Sequence, residues 1–139
     1  MRQATHILDV RSTRRGLIEL TDPIRSWTYA HSFLTGLLTV FCRHTSASLL
    51  IQENAAPEVR ADLEAFFEHL APEDAGRYAH HDEGADDMPA HLRTALTQVQ
   101  LSIPLLEGKL ALGTWQGIYL FEHRRGQHDR QVALHLFGD

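Results

Sequence analysis

Residues His80 to His91, read as HHDEGADDMPAH, place three histidines and four carboxylates within twelve positions. Cys42 is the only cysteine, so the chain has neither an internal disulfide nor a thiolate zinc knuckle. A transition-metal site must therefore draw on imidazole and carboxylate. Asp87 and His91 are spaced i,i+4, which puts both on one face of a helix's first turn. Asp87 also suits the N-cap of that helix, and His91 a plain surface position. A cap needs one acidic residue, however, and leaves His80 and His81 unexplained. One loop histidine, His80 or His81, can converge with His91 on a divalent ion such as zinc, with His44 supplying a third nitrogen. A phosphate-type anion is the other occupant that suits the cluster. The spacing is not H-E-x-x-H, so nothing points to a zinc protease.

Two further stretches carry polar groups at strand-like spacing. In Arg43 to Asn54, RHTSASLLIQEN, strand alternation sends Leu49 and Ile51 into a core. His44, Glu53 and Asn54 fall at the strand ends, where they can border a cleft. A lone strand-end histidine is also a common structural residue, and no G-x-S-x-G elbow surrounds Ser46 or Ser48. In Gly113 to Arg124, GTWQGIYLFEHR, one face holds Thr114, Gln116, Ile118, Leu120 and Glu122, and the other Trp115, Tyr119, Phe121 and His123. A strand bearing Gln116 and Glu122 beside Ile118 and Leu120 reads as a half-buried pocket wall. Arg124, Arg125 and Arg130 flank a turn at Gly126, and guanidinium groups suit bidentate phosphate binding as readily as they suit a solvated turn.

The elements that must position these groups follow from periodicity and punctuation. Ala4–Val10 and Gly16–Leu20 read as strands. Asp22-Pro23 opens a helix with Asp22 as cap, carrying Ile24, Trp27, Ala30 and Leu34 or Phe33 on one face. Leu37–Arg43 and Ser46–Gln52 are strand-like. A second helix follows Pro57, with Val59, Leu63, Phe66, Phe67 and Leu70 as its apolar stripe. A long polar loop, Ala71–Asp86, leads to a third helix with Met88, Leu92, Ala95 and Leu96. Leu101–Leu106, Lys109–Leu112, Thr114–Glu122 and Arg130–Phe137 complete the strands. Hairpin-like runs without strict βαβ alternation predict one α+β domain over residues 1–139, a predominantly antiparallel or mixed β-sheet sandwich with about three helices.

Composition limits the partners. The 139 residues include 13 Lys and Arg against 18 Asp and Glu, a net charge of −5, which argues against broad nucleic-acid binding. No segment has the roughly 20 apolar residues of a membrane span, and the scarcity of cysteine fits a reduced cytoplasm. Ten histidines are many for this length.

HTSASLLIQENA, HDEGADDMPAHL and GTWQGIYLFEHR, in this order, resemble the YjbQ family of small bacterial and archaeal proteins. The resemblance runs from about Thr21 to the C-terminus. It implies a sandwich-like α+β domain assembled as a homotrimer, with pockets near subunit boundaries. It also implies a secondary thiamine phosphate synthase activity, coupling a pyrimidine methyl pyrophosphate to a thiazole phosphate with release of pyrophosphate. The site positions it carries over are His44, Thr45, Glu53, Asn54, His91, Thr114, Gln116, Glu122 and Arg130, with His80 or His81 as the loop histidine. Glu122 is then the general base or orients a histidine, Asp87 fixes His91, and Arg124 and Arg130 bind phosphate. The alternative is a non-catalytic trimeric protein that binds a metal or a phosphorylated metabolite.

Overall fold

The computed structural model describes residues 1–139. It contains eight strands: β1 (Arg2–Ser12), β2 (Gly16–Glu19), β3 (Gly36–Cys42), β4 (Ala47–Glu53), β5 (Gln100–Leu106), β6 (Lys109–Leu110), β7 (Gln116–Glu122) and β8 (His128–Gly138). Three helices accompany them: α1 (Thr21–Ala30), α2 (Pro57–Leu70) and α3 (Asp87–Leu96). The strands form two antiparallel sheets, one in the order β1-β8-β3-β5-β6 and one in the order β2-β7-β4. The expected α+β sandwich with three helices is the observed fold.

Alternation builds the main core between the sheets. Along β5, Leu101, Ile103 and Leu105 are buried while Gln100, Ser102, Pro104 and Leu106 are exposed, the period-two signature of a half-covered strand. Leu38, Val40, Val132, Leu134 and Leu136 from the same sheet meet Leu49, Ile118 and Leu120 from the other. Burial of such side chains is worth about 1.5–3 kcal/mol each.

β7 departs from expectation. It is the centre of its sheet, and every residue from Gly117 to Glu122 is buried. Ile118 and Leu120 face the main core, while Leu17, Tyr119 and Phe121 form a second cluster covered by Leu63 and Phe67 of α2. The half-buried pocket wall is thus corrected to a strand packed on both faces, because the five-stranded sheet covers the Ile118 and Leu120 side and α2 covers the Tyr119 and Phe121 side.

The helix ends also differ. Asp22 is the second residue of α1, the cap position is Leu20, and no side chain caps it. Ile24 and Thr28 are the inward residues, whereas Ala30 and Leu34 are exposed. Pro57 opens α2 as expected, but no residue of α2 is fully buried, and Phe66 and Leu70 of its stripe are exposed. Asp86, not Asp87, occupies the cap position of α3, without a side-chain capping bond. Asp87 is the first helical residue, which frees its carboxylate for other partners.

The β7–β8 connection carries the chain from one sheet into the other. Gly126, at φ 78°, makes that turn in the left-handed region. The crossing brings Glu122 at the end of β7 against Arg130 near the start of β8.

Candidate metal centre and adjoining groove

Three titratable groups from the opening motif meet at the start of α3. His80 Nε2 lies 2.8 Å and His91 Nε2 3.1 Å from the same oxygen, Asp87 Oδ2. The ligand atoms of all three groups lie within 4.8 Å of one another. Asp87 is buried, whereas the two histidines are partly exposed. Burial raises the Asp87 carboxyl, but His80, His91 and Arg124 outweigh it and hold it below the usual carboxylate range. The hydrogen bond to Asp87 raises His80 above the ordinary imidazole value.

Donors and acceptors define what this cluster can hold. His91 Nδ1 is 3.0 Å from the Thr45 carbonyl oxygen, which can only accept. Nδ1 therefore carries a hydrogen, and the Nε2 of a neutral His91 turns a lone pair toward the Asp87 carboxylate. His80 differs: its hydrogen bond is from Nε2 to Asp87, with Nδ1 3.3 Å from the exposed Asp82, so a neutral His80 can donate its ring hydrogen to the carboxylate. The His91 lone pair and the Asp87 carboxylate require a cation between them: a proton on that ring, or one metal ion. Two imidazoles and a carboxylate form a donor set of catalytic zinc sites, and the Nδ1–H bond of His91 to the Thr45 carbonyl is of the kind that fixes a metal-bound histidine. The residues fit such an ion.

An open groove of about 610 Å³ borders the cluster, lined by Phe41, Cys42, Arg43, His44, Thr45, His91, Thr94, Ala95 and Val99. His91 belongs to both, with its Nε2 in the cluster and its ring in the groove wall. His44 is not a member of the three-group cluster, which corrects its assignment as third nitrogen. Its Nε2 accepts from the Gln131 backbone N–H at 2.7 Å, and it lines the groove instead. Burial, followed by the Arg130 charge, lowers His44 below the ordinary value. His81 is exposed and outside the cluster, so His80 is the loop histidine that turns inward.

The chain as a whole matches a known protein family. The family model described as "UPF0047 protein YjbQ-like" matches residues 6–139. The chain is a member of the YjbQ/UPF0047 family. It is 49% identical to UPF0047 protein sll1880 from Synechocystis sp. over 138 residues, covering 99% of this chain and 94% of that one. It is 45% identical to UPF0047 protein YjbQ from Escherichia coli O157:H7 over 104 residues, 75% of each chain. Among solved structures, hypothetical protein APE1520 from Aeropyrum pernix K1 superposes with a TM-score of 0.89 at 28% identity, covering 98% of this chain and 99% of that one. Conserved hypothetical protein TT1486 from Thermus thermophilus gives 0.83 at 34% identity, covering 95% and 99%.

The site residues expected from sequence fall into two groups. Glu122 stands opposite Ala47 in the β4–β7 ladder, while Gln116 stands opposite Glu53, six residues away. At the rise of a β-strand that is about 20 Å. His44, Thr45, His80, Asp87, His91, Glu122, Arg124 and Arg130 gather at the first end; Glu53, Asn54, Thr114 and Gln116 lie at the other. Within one chain these residues therefore do not share one site. At the far end, Glu53 accepts from Ala56 N–H at the start of α2, Asn54 donates to Glu19, and Gln116 accepts from Gly113 N–H. The first stabilises a helix start, the second ties the end of β4 to that of β2, and the third closes a turn.

Two further roles change. Glu122, 0% exposed, accepts from Ser12, from Arg130 and from the Arg124 backbone N–H. Burial raises its carboxyl, but Arg130 and Ser12 outweigh that and lower it, so it is a sealed carboxylate rather than a base facing substrate. Arg130 spends Nε and Nη2 on Glu122 and Ser46, and Arg124 spends its guanidinium on Asp86, Asp87 and the Glu83 carbonyl. Neither presents a free fork to phosphate. Sequence reasoning missed Asp87 as the residue joining both histidines, although its i,i+4 spacing to His91 carried the signal. It also missed Ser12 and Ser46, for which no local pattern exists.

Proposed function

We propose that this chain is a cytoplasmic, metal-dependent transferase acting on small phosphorylated molecules, with the thiamine phosphate synthase coupling as its reaction. The observation that carries this reading is the pair of imidazole Nε2 atoms directed at one Asp87 oxygen, beside a groove with room for a small ligand. A divalent ion held by His80, Asp87 and His91 would supply the charge that a departing pyrophosphate requires. The chain's own residues do the rest by position. Thr45 fixes the His91 ring through its carbonyl, and His44 and Arg43 place polar and cationic groups on the groove rim above the apolar surface of Phe41 and Val99.

A homotrimer belongs to the same proposal. The outer face of the five-stranded sheet has no helix over it, and Ala133 pairs with Ile7 on one side and Phe41 on the other, both exposed. Leu37 and Phe137 lie opposite each other in the same β3–β8 ladder. An apolar row on an uncovered sheet face supports burial against further copies.

One observation favours a second reading, a binding protein without turnover: Glu122, the expected base, is sealed in an ion pair. Incubating zinc-loaded protein with the pyrimidine pyrophosphate and thiazole phosphate, and following thiamine phosphate and pyrophosphate by mass spectrometry, separates the two. Turnover that disappears in Asp87→Asn is the result expected; tight ligand binding without product supports the second reading.

A further inference from the structure

The two oxygens of Asp87 face different partners. Oδ2 is shared by His80 and His91, while Oδ1 lies 3.2 Å from Arg124 Nη1. Arg124 is itself immobilised: Nε and Nη2 each reach Asp86 at 3.2 Å, and Nη2 donates to the Glu83 carbonyl at 2.9 Å. Asp86 in turn accepts from the Arg125 backbone N–H at 2.9 Å. One planar guanidinium thus spans two successive carboxylates, which a lysine ammonium, a single point charge, cannot reproduce.

We infer that Arg124 is a positioning residue that restricts Asp87 to one-oxygen ligation and so keeps a coordination position open for a ligand arriving from the groove. The inference rests on the metal reading of the His80–Asp87–His91 cluster. A carboxylate free on both oxygens can bind an ion through both and fill the position that a three-ligand zinc site leaves open. With Oδ1 tied to Arg124, only Oδ2 is available, and it is the oxygen that both imidazoles already face. The anchor is rigid, because Arg124 follows closely on β7 and Asp86 directly precedes α3.

Co²⁺ serves as the probe, with affinity measured by chelator competition and coordination number by the intensity of its visible absorption. Wild type is expected to bind Co²⁺ with the intense absorption of four-coordination. If wild type binds no Co²⁺, the metal reading itself fails, independently of Arg124. In Arg124→Gln, affinity is expected to fall about 10–100-fold, as for other outer partners of metal ligands, and the absorption to weaken as Oδ1 joins the ion. Unchanged affinity and spectrum, or tighter binding, would overturn the inference. Should Arg124→Gln not fold, a crystal structure of zinc-loaded wild type decides. One Asp87 oxygen on zinc with Arg124 on the other is expected; both oxygens on zinc overturns it.

Discussion

Arg130 grips Glu122 with two hydrogen bonds, 2.8 Å from Nε to Oε1 and 2.5 Å from Nη2 to Oε2, in an interior where Glu122 is 0% and Arg130 6% exposed. The pair stitches the two sheets together, since Ser12 of β1 also donates to Glu122, and Arg130 to Ser46 at the entry to β4. Removing one partner leaves a buried charge unpaired, so Glu122→Ala is expected to cost about 3–5 kcal/mol in urea unfolding. The double replacement Glu122→Leu with Arg130→Met leaves no charge behind and is expected to recover most of that loss. A double variant as unstable as the single one would show that the hydrogen bonds, and not the stranded charge, set the cost.

Zinc affinity should partition the histidines. Alanine at His80 or His91, or asparagine at Asp87, is expected to weaken binding by at least an order of magnitude in calorimetric titration, because each removes or neutralises one of three protein ligands. Alanine at His44 or His81, which stand outside the cluster, should leave affinity within a few-fold of wild type. Equal losses at His44 and His80 would reinstate the nitrogen set expected from sequence.

His123 predicts a pH dependence of stability. Its ring is fully buried, with Nε2 2.8 Å from Ser48 Oγ and no protein partner at Nδ1. Burial first, then the Arg93 and Arg130 charges, lowers its pKa to about 3. Between about pH 6.5 and 3 the unfolded chain takes up a proton that the native ring refuses, so stability falls as pH falls. The slope expected from this one group is about 1.4 kcal/mol per pH unit. Subtracting the unfolding curve of His123→Gln from that of wild type isolates the contribution. A difference flat from pH 7 to 4 would mean that the native ring takes up its proton over the same pH range as the unfolded one.

Assembly can be read by sedimentation equilibrium. Wild type is expected at three times the 15.7 kDa chain mass. Phe41→Glu puts a charge on the outer face of the five-stranded sheet and should give monomers with unchanged circular dichroism. A variant that remains trimeric would move the interface elsewhere, with the exposed Phe66 and Leu96 near the α2–α3 groove the next place to test.

The element order was legible in the sequence because it depends on local periodicity. Strand alternation in Leu101–Leu106 and the Pro57 start of α2 appear where sequence reading puts them. The donor types were legible for the same reason: with one cysteine and ten histidines, imidazole and carboxylate were the available ligands. Local spacing also paired Asp87 with His91. It assigned Asp87 the wrong task, because a helix's first residue and its cap differ by one position and only the backbone path decides between them.

What the sequence determined by itself is therefore the set of elements, the alternation of faces along the strands, and the chemical kinds available. The tertiary structure decided which of those faces meet. Alternation cannot report that α2 covers the far side of β7, that the β7–β8 crossing carries Arg130 onto Glu122, or that the β4–β7 register sets Glu53 and Gln116 about 20 Å from Ala47 and Glu122. These are relations between residues distant in sequence, fixed by sheet register and layer packing, and the choice of His80 over His81 belongs with them.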